Sequence, residues 1–97
     1  MRLAFLPEAR EELREAVAYY ERKEEGLGDR FRDEVSRICR RIAADPCLWR
    51  ERPGGYRRVN LPVFTHYVVY FVRGDTVIVA AVAHGHRLPG YWKERLP

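Results

Sequence analysis

The spacing of apolar residues changes along the chain, and the changes mark out the elements. Arg2 to Leu6 is a short apolar run stopped by Pro7, which suits a first strand running directly into a helix with Pro in its first turn. Ala9, Leu13, Ala16, Val17 and Tyr20 then recur at helical spacing, while Arg10, Arg14, Glu15 and Glu21 fall on the other faces. Glu8, Glu11 and Glu12 lie in the first turns, where a helix dipole favours anions. This helix is expected to end before Gly26 and Gly28. Asp29 is expected to cap a second helix with the stripe Phe31, Val35, Ile38 and Ile42, which Asp45-Pro46 terminates. Two amphipathic helices joined by a short Gly-containing turn form a helical hairpin, and their apolar face needs a sheet.

The second half supplies that sheet, after a loop rich in Arg, Pro and Gly from Cys47 to Gly55. Tyr56 to Leu61 reads as a short strand, Thr65 to Arg73 is β-branched and aromatic, and Val77 to Val82 is nearly continuous aliphatic. Gly74-Asp75 separates the last two, with Gly first as a type II′ hairpin prefers. The order β-α-α-β-β-β predicts an α+β fold, with the helical hairpin packed on one face of a twisted, mainly antiparallel four-stranded sheet. A chain of 97 residues is expected to form a single domain over 1–97, since a second would be too small to bury a core.

Composition narrows the class. Hydrophobic residues at 46% can fill one core, and charged residues at 33% favour solubility. No apolar run approaches bilayer length, and Pro7 and Glu8 interrupt any signal-like layout, so a cytoplasmic location is expected. Cys39 and Cys47 are too few for a disulfide framework, lack the spacing of a zinc site, and read as buried reduced thiols. The charge is one-sided. Met1 to Leu48 holds ten Lys and Arg against eleven acids, whereas Trp49 to Pro97 holds eight against three, a field that attracts polyanions or an acidic protein segment.

Beyond the last strand the chain reads Val82-Ala83-His84-Gly85-His86-Arg87-Leu88-Pro89-Gly90-Tyr91-Trp92. With the amino-terminal strand, the helix carrying Ala9, Leu13 and Tyr19-Tyr20, the Asp45-Pro46 stop, the Arg57-Arg58 strand and the Tyr67-Val68-Val69-Tyr70 strand, this pattern resembles the RelE/ParE toxin superfamily over nearly the whole chain. The resemblance implies the toxin of a type II toxin–antitoxin system, kept inactive by a cognate antitoxin until that partner is degraded. ParE-like members inhibit DNA gyrase, and RelE-like members cut messenger RNA on the ribosome.

Metal-independent RNA cleavage needs a base for the 2′-hydroxyl, a cation for the phosphorane and an acid for the leaving oxygen. Arg57, His84, Arg87 and Tyr91 are the candidates for those roles if the chain is RelE-like. The resemblance also carries departures. Tyr67 stands where cleaving members carry an Arg on the third strand, and Gly85 where they carry another, with Arg87 two positions on. These departures favour a ParE-like, non-hydrolytic toxin over the ribonuclease, with a non-toxic binding module on the same fold as a third reading. Arg58, Arg73, His86 and Trp92 are the further candidates for partner contact, beside Arg50 and Arg52 in the loop.

Simpler roles compete for several of these residues. Arg57 and Arg58 are adjacent on a strand and face opposite ways, as do Tyr67 and Tyr70. Tyr91-Trp92 also reads as an aromatic edge closing the core. His84 and His86 alternate at a strand end, but with only His66 as a third imidazole no metal site is expected. Neither is a cofactor. The expected partners are the antitoxin, seated on a sheet edge or helical groove, and gyrase or else ribosome and mRNA, with a homodimer or toxin–antitoxin hetero-oligomer as the assembly.

Overall fold

The computed structural model describes residues 1–97. Strand β1 (Arg2–Phe5) leads through Leu6 into helix α1 (Pro7–Lys23), which is followed by α2 (Leu27–Ala44) and then by β2 (Arg57–Asn60), β3 (His66–Arg73) and β4 (Thr76–His84). The sheet order is β1-β4-β3-β2. β1 runs parallel to β4 and the other pairs are antiparallel, so the order and layout expected from the sequence hold. Gly74 alone of the hairpin pair has a positive φ, of 61°, as a type II′ turn requires. No helix is long and apolar enough to cross a membrane.

The helical stripes are buried as their spacing predicts. Ala9, Ala16 and Tyr20 of α1 and Phe31, Val35, Ile38 and Ile42 of α2 pack on Val59, Val68, Tyr70, Val77, Val79 and Val82 of the sheet. Two details of the hairpin differ. α2 starts at Leu27, so Asp29 lies inside the first turn and does not cap it. The cap comes instead from the preceding helix, where the Glu21 carboxylate accepts the N–H groups of Gly26 and Gly28 at 2.9 and 3.0 Å, satisfying donors that a helix start leaves free. Cys39 is half-buried against the core, and burial pushes its thiol up to about 11. Cys47 is exposed, not buried as expected, because the helix has ended and the chain has turned outward before it.

The opposite sheet face is covered too. Tyr67, Val69, Phe71, Ala80, Ala81, Ala83 and Trp92 form a second cluster, against which Tyr56, Tyr91 and Leu96 pack. β3 is therefore buried on both faces from His66 to Phe71, and the carboxy-terminal segment, with its 3-10 turn at Lys93–Arg95, takes the role of a second layer.

β4 contains one extra residue. Val69 pairs with Ala81 and Tyr70 with Val79, leaving Ala80 unpaired; this is a β-bulge, in which two residues oppose one. Ala80 and Ala81 both face the second cluster, whereas Val77, Val79 and Val82 face the helices. The bulge thus moves the residues beyond it to the opposite faces from those that strict alternation would give. It is what turns His84 toward α1.

Candidate functional site

An open cleft of about 250 Å³ lies between α1, the end of β4 and the segment after it. Its floor is set by Glu12, which is only 9% exposed although it carries a charge. The cause is the short β1, which leaves the sheet at Leu6 and so leaves the edge of β4 without a strand partner beyond Val79. Side chains substitute for that strand. Glu12 Oε1 accepts the Val82 N–H at 3.0 Å, and Arg95 Nη1 donates to the Ala80 carbonyl at 3.0 Å. Arg95 also grips Glu12 with two bonds of 3.0 Å, and the Tyr91 hydroxyl donates to Glu12 Oε2. Bidentate guanidinium–carboxylate pairing with every lone pair engaged is the arrangement that makes a buried charge tolerable. Burial and the Glu12 carboxylate together raise the Tyr91 hydroxyl well above the usual tyrosine range. Arg87 completes the corner, with its guanidinium 3.9 Å from the Tyr91 ring centre and 4.0 Å from Glu12.

The other wall is aromatic. His84 meets the edge of Tyr19 at 5.6 Å and lies 4.7 Å from His66 and 4.8 Å from His86, centre to centre. Hydrogen bonds fix the tautomer of His84. His84 Nδ1 accepts the backbone N–H of His86 at 3.0 Å, so its proton sits on Nε2, which donates to Thr65 Oγ1 at 3.3 Å. The Thr65 and Tyr20 hydroxyls share a hydrogen bond of 3.2 Å, and the Tyr20 hydroxyl and His66 Nδ1 share one of 2.9 Å. The His84 bonds require a neutral imidazole, because its Nδ1 is an acceptor. Burial lowers His66 to about 4, assisted by His84. His84 is also lowered, by burial first and then by His86 and Lys23.

The four residues considered for cleavage are not brought together. His84, Arg87 and Tyr91 line the cleft. Arg57 faces the helices farther along the sheet, where it donates to the Trp49 carbonyl at 2.6 Å and lies 3.9 Å from Cys47 Sγ. It pairs with Tyr70, four residues along β3 from His66, or about 13 Å at the usual rise of a strand. Gly85 explains one departure from the cleaving pattern. Its N–H is bonded to the Thr65 carbonyl, and a Cβ there would stand 2.9 Å from that oxygen, so the backbone has no room for an Arg.

The partner-contact candidates are dispersed. Arg58 lies on the second face, stacked 3.7 Å above the Tyr67 ring, with Nε donating to Asn60 at 3.1 Å. Arg73 ends β3 beside Phe71, at 5.3 Å. His86 is exposed next to Gly85. Trp92 offers no contact surface, being 2% exposed with its indole N–H donating to Tyr67 at 3.0 Å; it closes the second cluster. Sequence reasoning missed Glu12 and His66 as members of the site. Glu12 carried a usable signal, since it falls on the buried stripe Ala9, Ala16, Tyr20 at helical spacing.

The family model for the ParE toxin of the type II toxin–antitoxin system parDE matches residues 3–89. Among solved structures, the chain is similar to one titled "Chromosomal ParDE TA system from P. aeruginosa", with a TM-score of 0.62 and 18% identity, over 87% of this chain and 95% of that one. No curated protein matches. The structural likeness supports the fold, and the family match spans β1 through the segment following β4.

Proposed function

For this chain, which belongs to the ParE toxin family of type II toxin–antitoxin systems, we propose a non-hydrolytic mode of action: it binds and inhibits DNA gyrase in the cytoplasm and is neutralised by a cognate antitoxin. The observation that carries this reading is the dispersal and occupation of the cleavage candidates. Arg57 pairs with Tyr70, four residues along β3 from the end where His66 pairs with His84. Both ring nitrogens of His84 are engaged, and the Tyr91 hydroxyl is committed to Glu12. A general base needs a free lone pair within reach of the proton it removes, and His84 has none.

The ribonuclease reading keeps one point in its favour, namely that His84, Arg87 and Tyr91 share a cleft. The two readings separate in one assay series. Purified toxin is expected to inhibit gyrase supercoiling, and His84→Ala and Arg57→Ala are expected to leave that inhibition within about threefold of wild type. Ribosome-dependent transcript cleavage that either substitution abolishes, without gyrase inhibition, overturns the proposal. The antitoxin relationship is tested by co-purification with the product of an adjacent short gene and by relief of growth arrest when both are expressed.

A further inference from the structure

His84 is the last residue of β4, and both of its ring nitrogens hold groups that lie outside the strand. Nε2 joins Thr65 Oγ1 at 3.3 Å, in the turn before β3. Nδ1 accepts the N–H of His86 at 3.0 Å, two residues further along its own chain. The His84 carbonyl accepts the N–H of Arg87 at 3.1 Å, so one residue closes the turn with its main chain and its ring together. Past the turn, His86, Arg87, Leu88 and Pro89 are exposed. The chain is fastened to the fold again at Tyr91 and Trp92, which bond Glu12 and Tyr67.

The ring's part in that turn depends on a lone pair. A neutral imidazole has one donor and one acceptor nitrogen, whereas the protonated ring has two donors and no acceptor. On taking a proton, His84 would aim an N–H at the N–H of His86, and an attraction would become a repulsion. The Thr65 bond survives, since Nε2 donates in either state. The surroundings set when this happens. From α1, Tyr19 meets the ring edge-on, Lys23 lies 4.9 Å over Tyr19, and Arg22 lines the same cleft. From β3 comes His66 at 4.7 Å, and from the following segment His86 at 4.8 Å and Arg87. The carboxylates of the cleft are Glu12, already gripped by Arg95, and Glu15. Burial first, then His86 and Lys23, make His84 harder to protonate than an ordinary His. The neutral, bonded ring therefore prevails at neutral pH and is lost below 6.5.

We propose that His84 is a proton-operated catch on the turn that follows β4: neutral, it holds the His86 N–H and keeps Arg87 seated in the cleft; protonated, it releases both. In the held state the Arg87 guanidinium rests 3.9 Å from the Tyr91 ring centre and 4.0 Å from Glu12. The release is bounded, because Trp92 remains buried against Tyr67 and Arg95 remains on Glu12. The freed stretch thus runs from Gly85 to Gly90, and acid opens the mouth of the cleft while the sheet and the rest of the segment stay in place. The catch works in the same way whatever the toxin's target.

The test is a pH titration of the full isotope-labelled chain, followed by amide NMR from about pH 7.5 to about 4.5, ending above the point near 4 where His66 takes its own proton. The backbone amides of residues 86 and 87 are expected to shift with one midpoint below 6.5, shared with the His84 ring, while those of Val59 and Val68 stay in place. Repeating the titration in His86→Gln removes the influence of the His86 ring on its own amide. The position-86 amide is expected to titrate there too, with a higher midpoint, since His86 is one of the groups that lower His84. His84→Asn puts an amide oxygen near the place of Nδ1 with no proton to gain, so both amides are expected to keep the bonded position throughout. His84→Phe offers no acceptor and is expected to show the released position from the start. Amides 86 and 87 that stay put in the wild type, or that titrate as before once His84 is replaced, overturn the catch. A shift that Val59 and Val68 share with the same midpoint marks unfolding of the sheet and overturns it as well.

Discussion

On either side of His84 the chain treats polar and apolar groups in opposite ways. In the Glu12 corner a buried carboxylate receives a backbone N–H, a hydroxyl and two guanidinium bonds, so nothing that needs a partner lacks one. At Val63, in the turn between β2 and β3, an aliphatic residue is held in an unfavourable backbone conformation and left in water. The first corner follows the rules of a stable interior and is accounted for by folding. The second departs from them with no gain in packing, so its residues ask for a reason outside the monomer.

Several substitutions sharpen or break that contrast. The largest effect is expected for Glu12→Leu, which strands Arg95 and leaves the Val82 N–H without its acceptor. Removing one partner of a buried ion pair costs about 3–5 kcal/mol. Urea unfolding near neutral pH measures it, and a loss below about 1 kcal/mol would reduce the corner to ordinary surface.

Next is pH. His66 titrates near 4 in the folded chain against 6.5 for an ordinary His, so below pH 6.5 the unfolded chain takes up a proton that the folded one refuses. Its contribution is fully present above about 6.5 and is lost as pH falls toward 4, on the order of 2 kcal/mol. Comparing wild type with His66→Phe at pH 7 and pH 4.5 isolates it from the carboxylates; equal pH slopes in the two proteins would rule it out.

Gly85→Arg supplies the cation found in cleaving relatives, but its Cβ would press on the Thr65 carbonyl at 2.9 Å. A cost of about 1–2 kcal/mol is expected from such overpacking, with no gain of transcript cleavage. A stable, cleaving variant would show that the missing Arg is a matter of side chain and not of backbone. The smallest effect, and the one that decides the contrast, is Val63→Gly. Relief of the left-handed strain is expected to stabilise the fold by up to about 1 kcal/mol, the added backbone entropy of Gly taking back part of it. A destabilised variant would mean that Val63 has a packing role after all.

Much of the fold was legible because it rests on periodicity. The stripes Phe31, Val35, Ile38, Ile42 and Ala9, Ala16, Tyr20 are core, and the strands lie within a residue or two of where β-branched runs placed them. The cap of α2 was not legible, since it comes from Glu21, a residue of the preceding helix. The site was half legible. Adjacent Arg57 and Arg58 do face opposite ways, but that His84, Arg87 and Tyr91 meet Glu12 and His66 depends on contacts between residues up to 79 positions apart in the chain, which no local pattern encodes. Val63 gave no sign in the sequence, where Pro-Val reads as unremarkable; only a positive φ and full exposure single it out.

The unpaired Ala80 has a consequence at the level of the gene. Loss of the Ala80 codon would restore strict alternation in β4 and keep Val82, Ala83 and His84 on their present faces, because Val79 and Ala81 already point opposite ways. Kept at full length but paired without the bulge, the strand would instead turn the Val82 N–H away from Glu12 and carry His84 from Tyr19 and His66 to the opposite side. Comparing relatives across this strand therefore requires placing a one-residue gap correctly before residue types are matched. A histidine or arginine that lines up in the letters can belong to the other surface of the protein.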